Sequence, residues 1–500
     1  MAQQHLGKRY DIIINGGGIV GFTLLDLILR SSSLNKFRVL LIERAKHPNS
    51  LTRNKSPDNL DTGQDDAPIR PKFSNRVSSI TLNSMQTFEK LGVWSRVESH
   101  AMKVKKIKVW NYNFLDKIIL KQEQFNCSRS YDERDFMFSV IENNRLSSAL
   151  LESISSHPKS RESIIWNHEL KELSRSSADA LINLKVGSTD NPGTEELVNL
   201  SAPLVLGCDG FASKVRDLTK MKYKEMDLNK TAVVGTVKMA PRYDGESIDN
   251  NVAYQRFSAE KQTVAALLPL DDQHCSFVIS APPNYAQHLM GLEDSSFIDE
   301  FNSLLTASES PANPALRVAH EVSNTVYDNI QNVIQMLPAA IRPEKYQYKM
   351  RSDEPPTLES VLENSRATYP LHFGTTSPRM TTSLDGKYLQ VGLLGDAAHR
   401  VHPLAGQGLN LGIQDATVLV KHLEKLSRSG ERIFNEKDPK MLCKALKRFE
   451  LERQAYIIPM SAGILGMQCL FTLVPSRTLT SVNKCEFMKK ASVTIANGCS

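Results

Sequence analysis

Two short stretches of this 500-residue chain combine residue types and spacings that can hold an electron-rich ligand. The first is Gly16-Gly17-Gly18-Ile19-Val20-Gly21, a G-x-G-x-x-G pattern directly after Ile12-Ile13-Ile14-Asn15. The second runs from Gly392 to Gly412. In it, the apolar run Leu389 to Leu394 meets the lone acid Asp396, and a Pro/Gly loop then leads into the apolar helical pattern Ile413 to Val420. In both, a buried strand delivers its end to a helix N-terminus, where free backbone N–H groups favour negative charge. Gly16 suits the tight turn, Gly18 the approach of a pyrophosphate to the backbone, and Gly21 close packing of helix on strand. Taken alone, either stretch is also compatible with an ordinary glycine-rich turn.

The surrounding elements favour the ligand reading. Helical periodicity spans Ile19 to Arg30, and Arg38-Val-Leu-Leu-Ile-Glu43 reads as a second strand. Glu43 lies 22 positions beyond Gly21, where an acid binds ribose hydroxyls, so the pattern predicts an adenine dinucleotide site. A third strand end, Ala202 to Gly207, delivers Asp209 and Gly210, with Ser213 and Arg216 soon after. Ser84 to Leu91 reads as a helix stopped by Gly92, and a second helix begins near Glu142. The alternation in Val104 to Trp110 predicts an exposed edge strand. From Thr231 to Val237, Asn251 to Phe257, Thr263 to Pro269 and Ser276 to Ser280, short alternating runs predict an antiparallel sheet, so a second domain is expected from about Tyr223.

Composition narrows the classes. A 41% hydrophobic content over this length supports a large core and two to three domains. The net charge of +6 suits an anionic membrane surface, while no basic stripe with interleaved aromatics points to nucleic acid. The seven cysteines are scattered without a C-x-x-C, which predicts reduced thiols. His399 and His402 could share one face, but no ligand cluster accompanies them and no metal site is expected. Ten residues precede the first strand, too few for a typical secretory signal or organellar presequence, so an organellar address would have to be short, internal or missing. Lys46 to Lys72 reads as a long loop without periodicity, and Pro338 to Asn364 as an expansion of unassigned role. In the uncharged run Gln454 to Ser476, Ile457, Met460, Ile464, Met467, Phe471 and Val474 mark one apolar helix face, either packed in the core or lying on a membrane.

Together the three strand ends resemble the FAD-dependent aromatic-ring monooxygenases related to 4-hydroxybenzoate hydroxylase. Gly16 to Gly21 matches their pyrophosphate motif, Gly207-Cys-Asp209-Gly210 their central Asp-Gly motif, and Gly395-Asp396 their ribityl motif. Ser74-Asn-Arg76-Val-Ser-Ser-Ile80, Gln255-Arg256-Phe257, Leu267-Leu-Pro-Leu270, Tyr369-Pro-Leu371 and Gly395 to Gly408 narrow the resemblance to the mitochondrial branch of the ubiquinone-biosynthesis hydroxylases. It runs from about Asp11 to Gly498, with departures at Lys261 to Ala266 and Val278-Ile279 in the expected substrate domain.

The resemblance implies an α/β chain with a Rossmann-like FAD-binding domain of the 4-hydroxybenzoate hydroxylase type, an antiparallel-sheet substrate domain and C-terminal helices. The expected boundaries are 1–222 with 365–440 for FAD, 223–364 for substrate and 441–500 for the C-terminal segment. It implies ring hydroxylation of a polyprenylated hydroxybenzoate by O2 through a flavin C4a-hydroperoxide, so no nucleophile–base pair is required. Gly16, Gly18, Gly21, Glu43 and Arg44 would hold the ADP half, Arg76 the flavin or its phosphates, and Asp396 the ribityl chain. Asp209 and Gly210 would brace the site, and Pro403, Ala405, Gly406, Gln407, Gly408, Leu409 and Asn410 would line the isoalloxazine, largely through backbone N–H groups. Arg400 could face a substrate carboxylate or cap the loop, and Arg366 or Tyr369 could border the ring pocket or belong to the core.

The implied partners are a ferredoxin with its reductase, or NAD(P)H, as electron donor, together with other ubiquinone-biosynthesis enzymes. The implied location is the matrix side of the mitochondrial inner membrane, in peripheral contact through the Ile457 to Val474 face. Two alternatives remain at this point: a soluble NAD(P)H phenol hydroxylase or epoxidase of the same fold, and a non-catalytic scaffold. Gly406 and Gly408 speak against the scaffold, which has no need of a flavin-approach loop.

Overall fold

Runs of Ile, Val and Leu with no polar interruption form strands only where both faces are covered, and this chain places five of them side by side. The computed structural model describes residues 8–47, 73–111, 118–121, 135–176, 180–190, 197–241, 251–258, 260–307, 355–376, 379–384, 386–401, 406–429, 432–435 and 438–473. A six-stranded sheet has the order Thr381–Thr382, Val391–Leu393, Leu204–Gly207, Ile12–Asn15, Val39–Ile42 and Ile164–Ile165. All neighbours are parallel except the first pair. The three strands whose ends carry the acid and glycine motifs are therefore adjacent, and their C-terminal ends open on one edge, the place where open parallel sheets bind ligands. Helices Ile19–Arg30 and Gly408–Arg428 pack against each other, and Leu24, Ile28, Leu411 and Leu419 are fully buried in the same core.

A second, nine-stranded sheet is centred on Lys224–Met239, flanked by Ala367–Thr375 and His274–Ala281. It continues through Thr263–Pro269 and Val252–Ser258, all antiparallel as expected. Lys106–Trp110 then adds in parallel to Val252–Ser258 and carries Ile118–Lys121 on its far side. The expected edge strand is thus an interior one that begins after Lys105, and Lys108, Val109 and Trp110 are buried. Its alternation was read correctly, but the neighbour that covers it arrives about 145 positions later in the sequence. Helices Pro283–Gly291 and Asp294–Thr306 cover one face, where the Phe277, Phe297 and Phe301 rings meet with centroids 5.3–5.8 Å apart. At the opposite edge His399–Arg400 pairs with Gly374 and Thr375, so the chain passes from the Asp396 turn directly into the large sheet.

The C-terminal helix, Lys440–Leu473, overturns one expectation. Ile457, Met460 and Ile464 are not a membrane-facing row. They are buried in the core against helix Gly408–Arg428, together with Leu446 and Phe449. Periodicity identifies an apolar face without saying what covers it, and here protein covers it. The side chains of Met467 and Phe471, and Val474 itself, lie outside the described residues, as does most of Lys46 to Lys72. No helix among the described residues is long and apolar enough to cross a membrane.

A charge buried without a partner is expelled at the expense of the fold, so the two faces of this helix should answer differently to aspartate. Ile464→Asp, at a side chain 1% exposed, should lower stability by about 3 kcal/mol or more. Ile458→Asp, at a side chain 49% exposed, should leave the melting temperature close to wild type. Thermal unfolding of the two variants checks both.

Candidate functional site

Gly16 has φ +107°, and a Cβ there would collide with the Cys208 carbonyl, while a Cβ at Gly21 would overlap the Gly16 carbonyl oxygen. Gly16 is thus required where the turn passes close to the neighbouring strand end, and Gly21 by the tight turn itself. Gly18 differs, because a Cβ there would meet nothing within 4 Å and would project into open space. It precedes helix Ile19–Arg30, whose first internal bond runs from the Phe22 N–H to the Gly18 carbonyl and whose N-terminus has no side-chain cap. Glu43 folds back onto this turn, accepting from Gly17 N at 2.6 Å through one oxygen and from Ala45 N at 2.7 Å through the other. Arg44 is exposed, and its carbonyl accepts from the Thr189 hydroxyl at 3.1 Å.

The second strand end braces the first. Asn15 donates to Asp209 Oδ2 at 2.8 Å, and Val215 N donates to the same oxygen at 3.2 Å. Burial raises the Asp209 pKa, only partly offset by hydrogen bonds from Ser213, Val215 and Asn15. Gly210 takes φ +75°. Arg216 then reaches across to the third strand end, donating to Ala397 O at 3.2 Å and to Phe211 O at 2.8 Å.

At the third end Gly395 has φ +60° and turns Asp396 outward. Asp396 is open to solvent at its surface yet enclosed closely enough that burial raises its pKa, against the lowering charges of His399 and Arg400. Gly395, Gly412 and Val20 converge here: a Cβ at Gly412 would strike the Val20 side chain, and one at Gly395 would lie 3.3 Å from it. The first turns of both helices therefore meet the Asp396 turn.

Helix Gly408–Arg428 starts one turn earlier than its apolar pattern suggested. Gln407 is buried, Leu409 half-buried, and the N–H groups of Gly408, Leu409 and Asn410 precede the first internal bond, from Leu411 to Gln407, with no side-chain cap. Gly406 has φ +59°, and a Cβ there would collide with the Ser79 hydroxyl. Asn410 has a part the sequence did not show: its side chain donates to Ser79 O at 2.8 Å and accepts from Thr81 N at 3.0 Å, tying the helix start to the strand that follows Arg76. Pro403, Ala405 and His402 lie outside the described residues.

Arg76 is exposed beside Tyr369, its guanidinium 5.2 Å from the ring centroid, so this pair links the segment before Val77–Thr81 to the large sheet. Glu142 holds the segment before it, accepting from Ser74 N at 2.6 Å and from Arg145 at 2.5 Å. Arg366 turns away toward the helices, donating to Leu289 O at 3.1 Å and to Asp294 at 2.9 Å, which leaves Tyr369 as the residue of the two that stands beside Arg76. Arg400 stacks over Phe211 at 4.5 Å and donates to Pro370 O at 3.1 Å, a bracing position.

The chain matches the FAD binding domain family over residues 70–327 and 375–433, more than half its length. It is 30% identical to the ubiquinone biosynthesis monooxygenase COQ6 of Caenorhabditis elegans over 86% of this chain and 83% of the relative, and 29% identical to that of Xenopus tropicalis over 91% and 84%. The chain belongs to the ubiquinone-biosynthesis branch of the FAD-dependent aromatic monooxygenases. Its fold is also that of PqsL, a probable FAD-dependent monooxygenase from Pseudomonas aeruginosa, with TM-score 0.60 and 18% identity over 96% of this chain and 100% of that one. FAD is the cofactor of this family, and the open space at Gly18, the two uncapped helix starts and the enclosed Asp396 fit it.

Behind the cofactor positions lies a buried hub built on a residue the sequence reading passed over. Asp415 is 0% exposed and accepts from Gly395 N at 2.9 Å, His399 Nε2 at 2.7 Å and Arg453 Nε at 2.6 Å. Burial opposes its ionisation, but the charges of His399 and Arg453, with hydrogen bonds from His399 and Gly395, hold its carboxyl below the ordinary range. His399 is thus committed to a carboxylate, and among the described residues no cluster of three or more His, Cys, Asp or Glu could hold a metal. The available signal was a charge in an apolar row: Asp415 falls between Leu411 and Leu419, and Arg453 between Phe449 and Ile457.

Gly18→Val should give a folded protein that fails to retain FAD, whereas Gly21→Ala should lower the melting temperature with or without FAD, as flavin absorbance and thermal unfolding would show. Arg453→Met leaves the Asp415 charge short of a partner and should cost about 3 kcal/mol and weaken FAD retention. Because the Asp415 carboxyl is held low, its contribution is fully present above about pH 4 and lost as pH falls through its folded value. Asp415→Asn should accordingly flatten the acid limb of the stability–pH curve measured by denaturant unfolding.

Proposed function

We propose that this chain hydroxylates the aromatic ring of a polyprenylated hydroxybenzoate-type intermediate in ubiquinone biosynthesis. The observation that carries this reading is the 30% identity to a ubiquinone biosynthesis monooxygenase over 86% of the chain. FAD, when bound, supplies the oxygen-activating redox chemistry. The tasks left to the chain are to bind that group, orient the ring and exclude water.

Each task has candidate residues. Gly16, Gly18 and Gly21, with the uncapped N–H groups of Ile19 and Val20, would hold the diphosphate. Glu43 would exchange its bond to Gly17 for ribose hydroxyls, with Arg44 beside it. Arg76 would meet the flavin or its phosphates from the Tyr369 side, and Asp396 would accept from the ribityl chain. Asp209 and Gly210 would brace the strand ends. The segment from Pro403 to Asn410 would present backbone N–H groups to the isoalloxazine, with Gly406, Gly408 and Leu409 at the helix start. The FAD-binding part would comprise 1–222 and 365–440, with 223–364 for substrate and 441–500 as the C-terminal segment. Lys106–Trp110, although early in the sequence, would serve the substrate part through its place in the large sheet.

O2 is the co-substrate, and a ferredoxin with its reductase, or NAD(P)H, would supply electrons. We place the chain on the matrix side of the mitochondrial inner membrane, in peripheral contact with it and beside other enzymes of the pathway. The names of its Xenopus tropicalis and Caenorhabditis elegans relatives, both mitochondrial, support the mitochondrial part of this placement.

The test is anaerobic reduction of the FAD-loaded chain by each donor, followed by O2 and a prenylated hydroxybenzoate. The expected result is hydroxylated ring in preference to hydrogen peroxide. Peroxide alone with the prenylated ring, together with coupled turnover of a small soluble phenol, would overturn the substrate assignment.

A further inference from the structure

Among the described residues three large apolar side chains stand clear of the surface: Met226 at 47%, Leu451 at 72% and Ile458 at 49% exposed. Two of the three lie seven positions apart on helix Lys440–Leu473, the spacing of one helix face. Ala455 and Ala462, also exposed, fall in the same row. Toward the helix start the row continues as Lys444, Lys447 and Arg448, all exposed. No acid interrupts it. Glu452, on one flank, is engaged by Lys421 and His422 at 2.9 Å each, and Glu450, on the other, accepts from Met380 N, Thr381 N and the Thr381 hydroxyl.

We infer that this stripe is a docking face for an anionic lipid surface. A helix lying in a membrane interface buries an apolar row at the acyl boundary and sets cations against headgroup phosphates, and this row supplies both in sequence. Its charge also argues against a second copy of the chain. Parallel pairing would set Lys444, Lys447 and Arg448 against their own like charges, and antiparallel pairing would lay them on the partner's Leu451 and Ile458. The stripe lies opposite Ile457, Met460 and Ile464, which are buried on the inner side. That inner side also carries Arg453, so the docking face and the Asp415 hub are two sides of one helix. The inference deepens the reading of a prenylated substrate drawn from a lipid phase and rests on it for its purpose, but binding is measured without turnover.

The test uses the full chain loaded with FAD, sedimented with vesicles of phosphatidylcholine alone or of phosphatidylcholine mixed with cardiolipin. The mixed vesicles should bind it, and raised salt should weaken that binding. The double variant L451D/I458D and the triple variant K444Q/K447Q/R448Q should each bind on the order of tenfold or more weakly. Both should keep wild-type flavin content and melting temperature. Met226→Asp, at an exposed apolar position elsewhere, should bind as wild type. Wild-type binding by both stripe variants, no wild-type binding to mixed vesicles, or equal loss with Met226→Asp would overturn the proposal. So would a wild-type dimer that L451D/I458D converts to monomer, which would assign the stripe to a second copy. Vesicle binding through the stripe without ring hydroxylation would sink the substrate reading and leave this surface standing.

Discussion

A carboxylate sealed from water holds together the strand and helix ends at which FAD is proposed to bind. Asp415 cannot remain ionised in an apolar helix row unless its charge is met, and it is met from three directions: the Gly395 N–H, His399 and Arg453. Those groups belong to the Asp396 turn, the edge of the large sheet and the C-terminal helix. One buried charge therefore fixes how three elements sit relative to one another. Such a hub gives little net stability over an apolar equivalent, but removing one partner leaves a charge that the interior does not tolerate. Its value lies in the single geometry it permits.

That geometry places backbone where a cofactor needs it. Three adjacent strands end on one edge, and two helices start there without side-chain caps. Gly395 and Gly412 let the Asp396 turn and the second helix close on Val20 in the first, which brings the two helix starts together. Recognition through main-chain N–H groups and a few carboxyls suits a cofactor that carries the difficult chemistry itself. It also accounts for a site with no nucleophile–base pair in the sequence.

What could be read from the sequence divides along range. Gly16 takes a positive φ and Gly21 closes on the Gly16 carbonyl within one strand–turn–helix passage, and the helix that follows was legible with bounds correct to the residue. Asp209, Asp396 and Gly406 stand out in the sequence as strand-end and loop positions, whereas the Asn15 that holds Asp209 and the Ser79 that abuts Gly406 do not, because they lie far away along the chain. The Asp415–Arg453 pair was not, because its members lie 38 positions apart on different helices and only packing brings them together. The Asn410 bonds to Ser79 and Thr81, spanning some 330 positions, were hidden likewise. For the C-terminal helix the pattern correctly marked Ile457, Met460 and Ile464 as apolar, but the choice between protein and lipid depended on a helix the pattern could not position. Lys106–Trp110 shows the same limit in a strand, an alternation read well with its covering neighbour unseen.

The central claim is that one cofactor engages both helix starts at once. Amide hydrogen exchange of the full chain with and without FAD tests it most directly. FAD should slow exchange together at Ile19 to Gly21 and at Gly408 to Asn410, two segments almost four hundred residues apart in sequence. Protection at the first segment alone, with Gly408 to Asn410 unchanged, would contradict it.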